Sequence, residues 1–119
     1  MTPIKKGQIP ASLDSWGTVA NLGSEILEGE VNAFGKMVFG APDAPVSCGY
    51  FACTKGKFRM VYPFSEHAVV LEGKVTLTNE ATGKSETYGV GDSWFVEKGT
   101  PVLWHVESDR FTKNYFAVV

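Results

Sequence analysis

Tyr62 and Glu66 lie four residues apart and are the side chains best suited to chemistry in this 119-residue sequence. A carboxyl group held among apolar neighbours is kept toward its protonated form, which suits a general acid or base. A nearby phenol can donate to that carboxylate or to a substrate oxygen. Glu66 and Tyr62 are therefore the candidate catalytic pair, with Glu66 equally able to anchor a ligand. The plainer readings are an exposed carboxylate at a strand start and a core aromatic whose hydroxyl still needs a partner. His67 adjoins Glu66 and, in a strand, points to the opposite face. His105 adjoins Trp104 and points outward by the same alternation. Neither histidine is a candidate catalyst. Trp104 can stack on a planar ligand or simply plug a core. Lys113 and Tyr115 share one face of the last strand, where they can turn toward a pocket or protect a sheet edge.

The two cysteines, Cys48 and Cys53, match no usual zinc or redox spacing. Five residues apart, they fall on opposite faces of a strand and read as small, reduced, partly buried hydrophobes. The net charge of −2 argues against nucleic acid, whose phosphates require clustered Lys and Arg. Apolar runs are as short as Ala68–Leu71, far below the roughly 20 residues of a spanning helix. Lys5 and Lys6 are followed by no apolar run, so the N-terminus does not read as a signal peptide. A cytoplasmic protein without a membrane partner is expected.

These side chains must be carried by strands. Thirteen Gly and six Pro break the chain into short runs rich in Val, Thr, Phe, Tyr and Trp. The runs expected as strands are Val46–Cys53, Lys57–Tyr62, His67–Leu71, Lys74–Asn79, Ser85–Tyr88, Ser93–Val96, Val102–Val106 and Thr112–Val119. Thr54-Lys55-Gly56 is expected to close the first hairpin. Alternation turns Phe58, Met60, Tyr62, Val102, Trp104 and Val106 inward, and Lys57, Arg59, His105 and Glu107 outward. Residues 1–30 read as an extended N-terminal arm with one or two edge strands, and the eight short strands of residues 31–119 as an all-β sandwich or barrel. A barrel of about eight strands either fills its interior with side chains or holds one small ligand there.

Two stretches resemble the paired motifs of the cupin superfamily. Glu66 followed by six residues and Gly73 reproduces the E-x6-G half of the first. Gly91-Asp92 and Gly99 keep the frame of the second. More closely, the chain resembles small single-domain cupins of the (S)-ureidoglycine aminohydrolase type. The likeness rests on Gly49, Cys53 to Phe58, Tyr62, Glu66, Leu71-Glu72-Gly73, Gly91-Asp92-Ser93, Gly99, Trp104, Lys113 and Tyr115. It implies a cupin jelly-roll barrel and commonly a homodimer. The positions that hold the metal in metal-bearing cupins carry Met60, Tyr62, Glu66 and Val102, so no metal or other cofactor is expected.

The resulting expectation is a small polar or planar metabolite, with nitrogen donors for Glu66, held among Phe58, Met60, Tyr62, Glu66, Val102, Trp104, Lys113 and Tyr115. The alternatives are an enzyme acting on a small ureide or amino-acid derivative, and a filled barrel serving as a structural or regulatory module. The apolar stretch from Val31 to Phe39 is the expected dimer interface.

Overall fold

Two long strands organise the barrel. In the computed structural model, which describes residues 1–119, nine strands follow in order. They are β1 (Asp14–Thr18), β2 (Glu25–Glu28), β3 (Asn32–Phe39), β4 (Val46–Val61), β5 (Ser65–Glu72), β6 (Val75–Asn79), β7 (Lys84–Tyr88), β8 (Ser93–Val96) and β9 (Pro101–Val118). The only helical pieces are short 3₁₀ turns at Lys6–Gln8 and Val19–Leu22.

β4 and β9 pair antiparallel along almost their whole length, from Val46 opposite Val118 to Val61 opposite Pro101. Each fuses two strands expected separately. The chain does not reverse at Thr54-Lys55-Gly56. Instead the register shifts there, with Thr54 opposite Arg110 and Gly56 opposite Val106, so extra β9 residues bulge out and both strands bend together. Gly56 serves close approach at this bend: a Cβ would run into the Glu28 carbonyl and Val31. The bend lets the two halves of β9 take different partners, β5 along Thr112–Val118 and β6 along Val102–Val106. One antiparallel sheet thus curls into the expected jelly-roll barrel, in the order β1-β3-β4-β9-β5-β8, with β2 on β4 and the β6–β7 hairpin on β9.

Phe58, Tyr62, Trp104 and Val106 are buried as alternation requires, with Val70, Val75, Trp94 and Phe111 in the same core. The N-terminal segment is laid onto the barrel through β1 against β3 and β2 against β4. The stretch from Val31 to Phe39 differs from its expectation as an interface. Val31 and Ala33 are wholly buried in their own core, and Phe34 lies under the Arg110 guanidinium at 5.4 Å. Of its apolar residues only Phe39 stays broadly exposed, at 64%. Alternation along an edge strand cannot tell a face covered by the chain's own N-terminus from one left for a partner.

Candidate functional site

Glu66 is placed by β5, whose inward positions are Glu66, Ala68 and Val70. Tyr62 sits just past the end of β4, fixed by backbone bonds from its N–H to the Thr100 carbonyl and from the Gly99 N–H to its own carbonyl. Lys113 and Tyr115 alternate inward on β9, with Phe111 and Ala117. These elements bring four polar groups to one point. Tyr62 Oη donates to Glu66 Oε2 at 2.8 Å, and Trp94 Nε1 donates to the same oxygen at 3.2 Å. Lys113 Nζ donates to Glu66 Oε1 at 2.5 Å. Glu66 is 1% exposed and Lys113 5%, so this is a buried ion pair. Isolated charges are costly to bury, and this pair persists because each partner neutralises the other and the carboxylate accepts three hydrogen bonds.

The ammonium is also caged by aromatic rings. Trp104, Phe51, Tyr115, Trp94 and Tyr62 have ring centroids 5.0, 5.3, 5.5, 5.5 and 6.0 Å from Nζ. Aromatic faces attract a cation at these separations. The phenols stay protonated. Burial first, then the Glu66 charge and hydrogen bond, push Tyr62 well above the ordinary tyrosine value. Burial and the Glu66 charge push Tyr115 up to about 12.

Beside this centre is a cavity of about 220 Å³ lined by Phe51, Phe58, Met60, Tyr62, Phe64, Glu66, Trp104, Lys113 and Tyr115. The N-terminal segment supplies Trp16, Val19, Leu22 and Ser24 to its wall. Exposed Leu22, Pro42 and Pro63 mark the mouth. Seven of the eight expected binding residues therefore meet at one cavity. Val102 does not. It faces Met60 across the β4–β9 ladder, yet it borders a second hollow that shares Tyr62 and is formed with Leu77, Tyr88 and Trp94. Alternation assigns a side chain to the interior but not to a level within it. His67 lies on the exposed outer face, and His105 is only partly covered, 3.9 Å from Glu107.

Trp94, Phe51 and Trp16 are among the site residues that escaped the sequence reading. Trp94 and Phe95 are adjacent, and a four-residue strand with an aromatic on each face gives alternation nothing to choose between. Tyr50 and Phe51 pose the same ambiguity in β4. Trp16 belongs to a segment whose glycines hide any periodicity.

The donor set does not fit a divalent cation. Of the four cupin metal positions only Glu66 and Tyr62 come together with oxygen donors, and the Lys113 ammonium already occupies Glu66. No group of three or more His, Cys, Asp or Glu converges anywhere in the fold.

Residues 40–115 match the EutQ-like cupin domain. Among solved structures, the chain is similar to the EutQ protein of Clostridium difficile, at 19% identity and TM-score 0.62 over 74% of this chain and 68% of that one. A putative ethanolamine utilization protein Q from Salmonella typhimurium LT2 matches at 19% and 0.61, over 73% and 69%. A protein of unknown function of the DUF861 family from Pseudomonas syringae pv. tomato DC3000 matches at 21% and 0.77. That match covers 92% of this chain but only 45% of the other. At these identities the likeness is one of fold. No curated protein sequence matches the chain.

Proposed function

This chain belongs to the EutQ-like cupin domain family, and from that premise we propose that it binds one small polar or planar metabolite inside the barrel. The observation that carries the reading is the cavity of about 220 Å³ beside the buried Glu66–Lys113 pair. A filled barrel would have no use for buried charges next to empty space, since burying polar groups is costly. Planar parts of the ligand rest on Trp104 and Phe51. A nitrogen donor on the ligand is no longer required, because Tyr62, Trp94 and Lys113 already donate to Glu66. A thermal-shift screen of small metabolites tests the proposal. Ser47 is buried on the cavity wall, so Ser47→Leu fills the space. Hits should stabilise the parent by several degrees and Ser47→Leu hardly at all. Equal stabilisation of both proteins, or no hit, would refute it.

One observation favours a second reading, a hydrolase of the ureidoglycine aminohydrolase-like type acting on a small ureide or amino-acid derivative. Tyr62 and Glu66 stand together at the cavity wall, where a phenol that keeps its proton can donate a hydrogen bond to a substrate oxygen beside a carboxylate able to act as base. Ammonia release from such compounds by the parent but not by Tyr62→Phe supports it, and no release from any of them removes it. The free thiols Cys48 and Cys53 favour a reducing, cytoplasmic setting. No helix is long and apolar enough to cross a membrane.

A further inference from the structure

Two side chains at the cavity, Lys113 and Trp104, keep hydrogen-bond donors that the fold leaves unspent. A carboxylate offers about four acceptor sites, and Glu66 has already filled most of them with Tyr62, Trp94 and Lys113. Lys113 carries three N–H groups and spends one, on Glu66. The surrounding rings balance its charge but do not replace oxygen acceptors. Trp104 lines the same cavity, is 1% exposed, and its Nε1–H has no partner in the protein. A buried donor without an acceptor is costly, so both groups call for an oxygen from outside the chain. Lys113 Nζ lies 5.0 Å from the Trp104 ring centroid, and both side chains border the one cavity. The charges narrow the choice further. Glu66 and Lys113 cancel, the lining phenols stay neutral, and no other acidic or basic side chain borders the cavity. An anion or cation entering would be desolvated without a free counter-charge.

We propose that the cavity's ligand is an uncharged, mainly apolar molecule that presents a carbonyl oxygen to Lys113 Nζ and Trp104 Nε1. Its hydrocarbon part lies against Phe51, Met60 and Phe64, with Trp16 near the mouth. The inference rests on the binding reading and specifies which chemistry the cavity accepts.

Four probes on one ring test it: cyclohexanone, methylcyclohexane, cyclohexylamine (a cation at pH 7) and cyclohexanecarboxylate. Binding is followed by tryptophan fluorescence and by the indole N–H resonances in solution. Cyclohexanone should bind about tenfold more tightly than methylcyclohexane and at least as far ahead of both charged probes. The Trp104 indole N–H resonance of the unmodified protein should move downfield with the ketone and not with the hydrocarbon. Trp104→Phe keeps a ring and removes the donor, so it should cut the ketone's advantage over methylcyclohexane about three- to tenfold, whatever it does to the two affinities together. The proposal is overturned if the amine binds best, which would make Glu66 the receiving group, or if the carboxylate does. It also falls if the ketone gains nothing over the hydrocarbon. Those results leave a binding cavity of different polarity. Failure of all four probes would remove the binding reading together with this one.

Discussion

At the residue scale, the centre is a mutual arrangement in which neither charge stands alone. Glu66→Gln keeps the shape but leaves the Lys113 ammonium buried without its counter-charge. It should therefore cost about 3–5 kcal/mol in guanidinium unfolding, and Lys113→Met a similar amount. From the sequence alone, Glu66→Gln is expected to spare the fold. Lys113 as its buried partner is what changes that outcome. The double variant Glu66→Gln/Lys113→Met should cost less than either single change. Additive losses would mean the two groups are independent and the pair has been misjudged. Cys53 offers a separate check. Burial pushes its thiol up to about 12, whereas Cys48 is only partly covered. With iodoacetamide at pH 8, one thiol should react and the second only after denaturation. Two fast thiols would place Cys53 near the surface.

The strands explain how these groups meet. β4 and β9 each contribute to both halves of the barrel because a bulge, not a turn, sits at Thr54–Gly56. A Thr-Lys-Gly triplet reads as a hairpin locally, and only the long-range pairing with Arg110 and Val106 shows that the strand continues. The N-terminal segment gains its role the same way. β1 pairs with β3 through Ser15 opposite Phe34 and Asp14 opposite Gly35, and the Trp16 ring lies over Gly35. A Cβ at Gly35 would overlap that ring, while the backbone there has no positive φ that demands glycine. Gly35→Ala should thus leave the barrel folded but lift Trp16 from the cavity wall. Acrylamide quenching of tryptophan fluorescence should rise and affinity for cavity ligands should fall. Unchanged quenching would show that Trp16 is not held by this contact.

For the molecule as a whole, the outer face matters as much as the interior. Across five strands, Phe39, Cys48, Phe116, His67 and Phe95 stand in register in one row. Phe39 and Phe95 are 64% and 65% exposed, and Phe116 48%. This apolar, sparsely charged row is better suited to a two-fold contact than the buried residues of β3. We expect a homodimer through it, so Phe116→Glu should give a monomer in light scattering while Phe34→Ala leaves the assembly intact. A monomeric parent, or a dimeric Phe116→Glu, would exclude this face. Stability should also respond to alkali. Tyr62, Tyr115 and Cys53 all titrate higher in the fold than the ordinary values of 10.0, 10.0 and 9.0. Above about pH 9 the unfolded chain therefore binds fewer protons than the native one. The stabilisation is complete below that point and is lost as pH rises toward 12, by up to ~1.4 kcal/mol per unit for each group. A flat unfolding free energy between pH 9 and 11 would contradict the burial of these groups.

What the sequence by itself determined is whatever depends on period and local chemistry. Short glycine-bounded runs with period-2 alternation demanded a β-sandwich or barrel and turned Phe58, Tyr62 and Trp104 inward, while the resemblance to the cupin motifs chose the barrel and brought Glu66 into view. Tertiary structure decided everything that depends on which strands become neighbours. It joined four expected strands into two, moved Val102 to another level of the interior, and folded Trp16 over the cavity. It also set Lys113 and Trp94 against Glu66 across separations of 47 and 28 residues. No local pattern encodes such a meeting, because alternation reports only which face a side chain occupies. A buried charge finds its partner through the register of strands far apart in the chain.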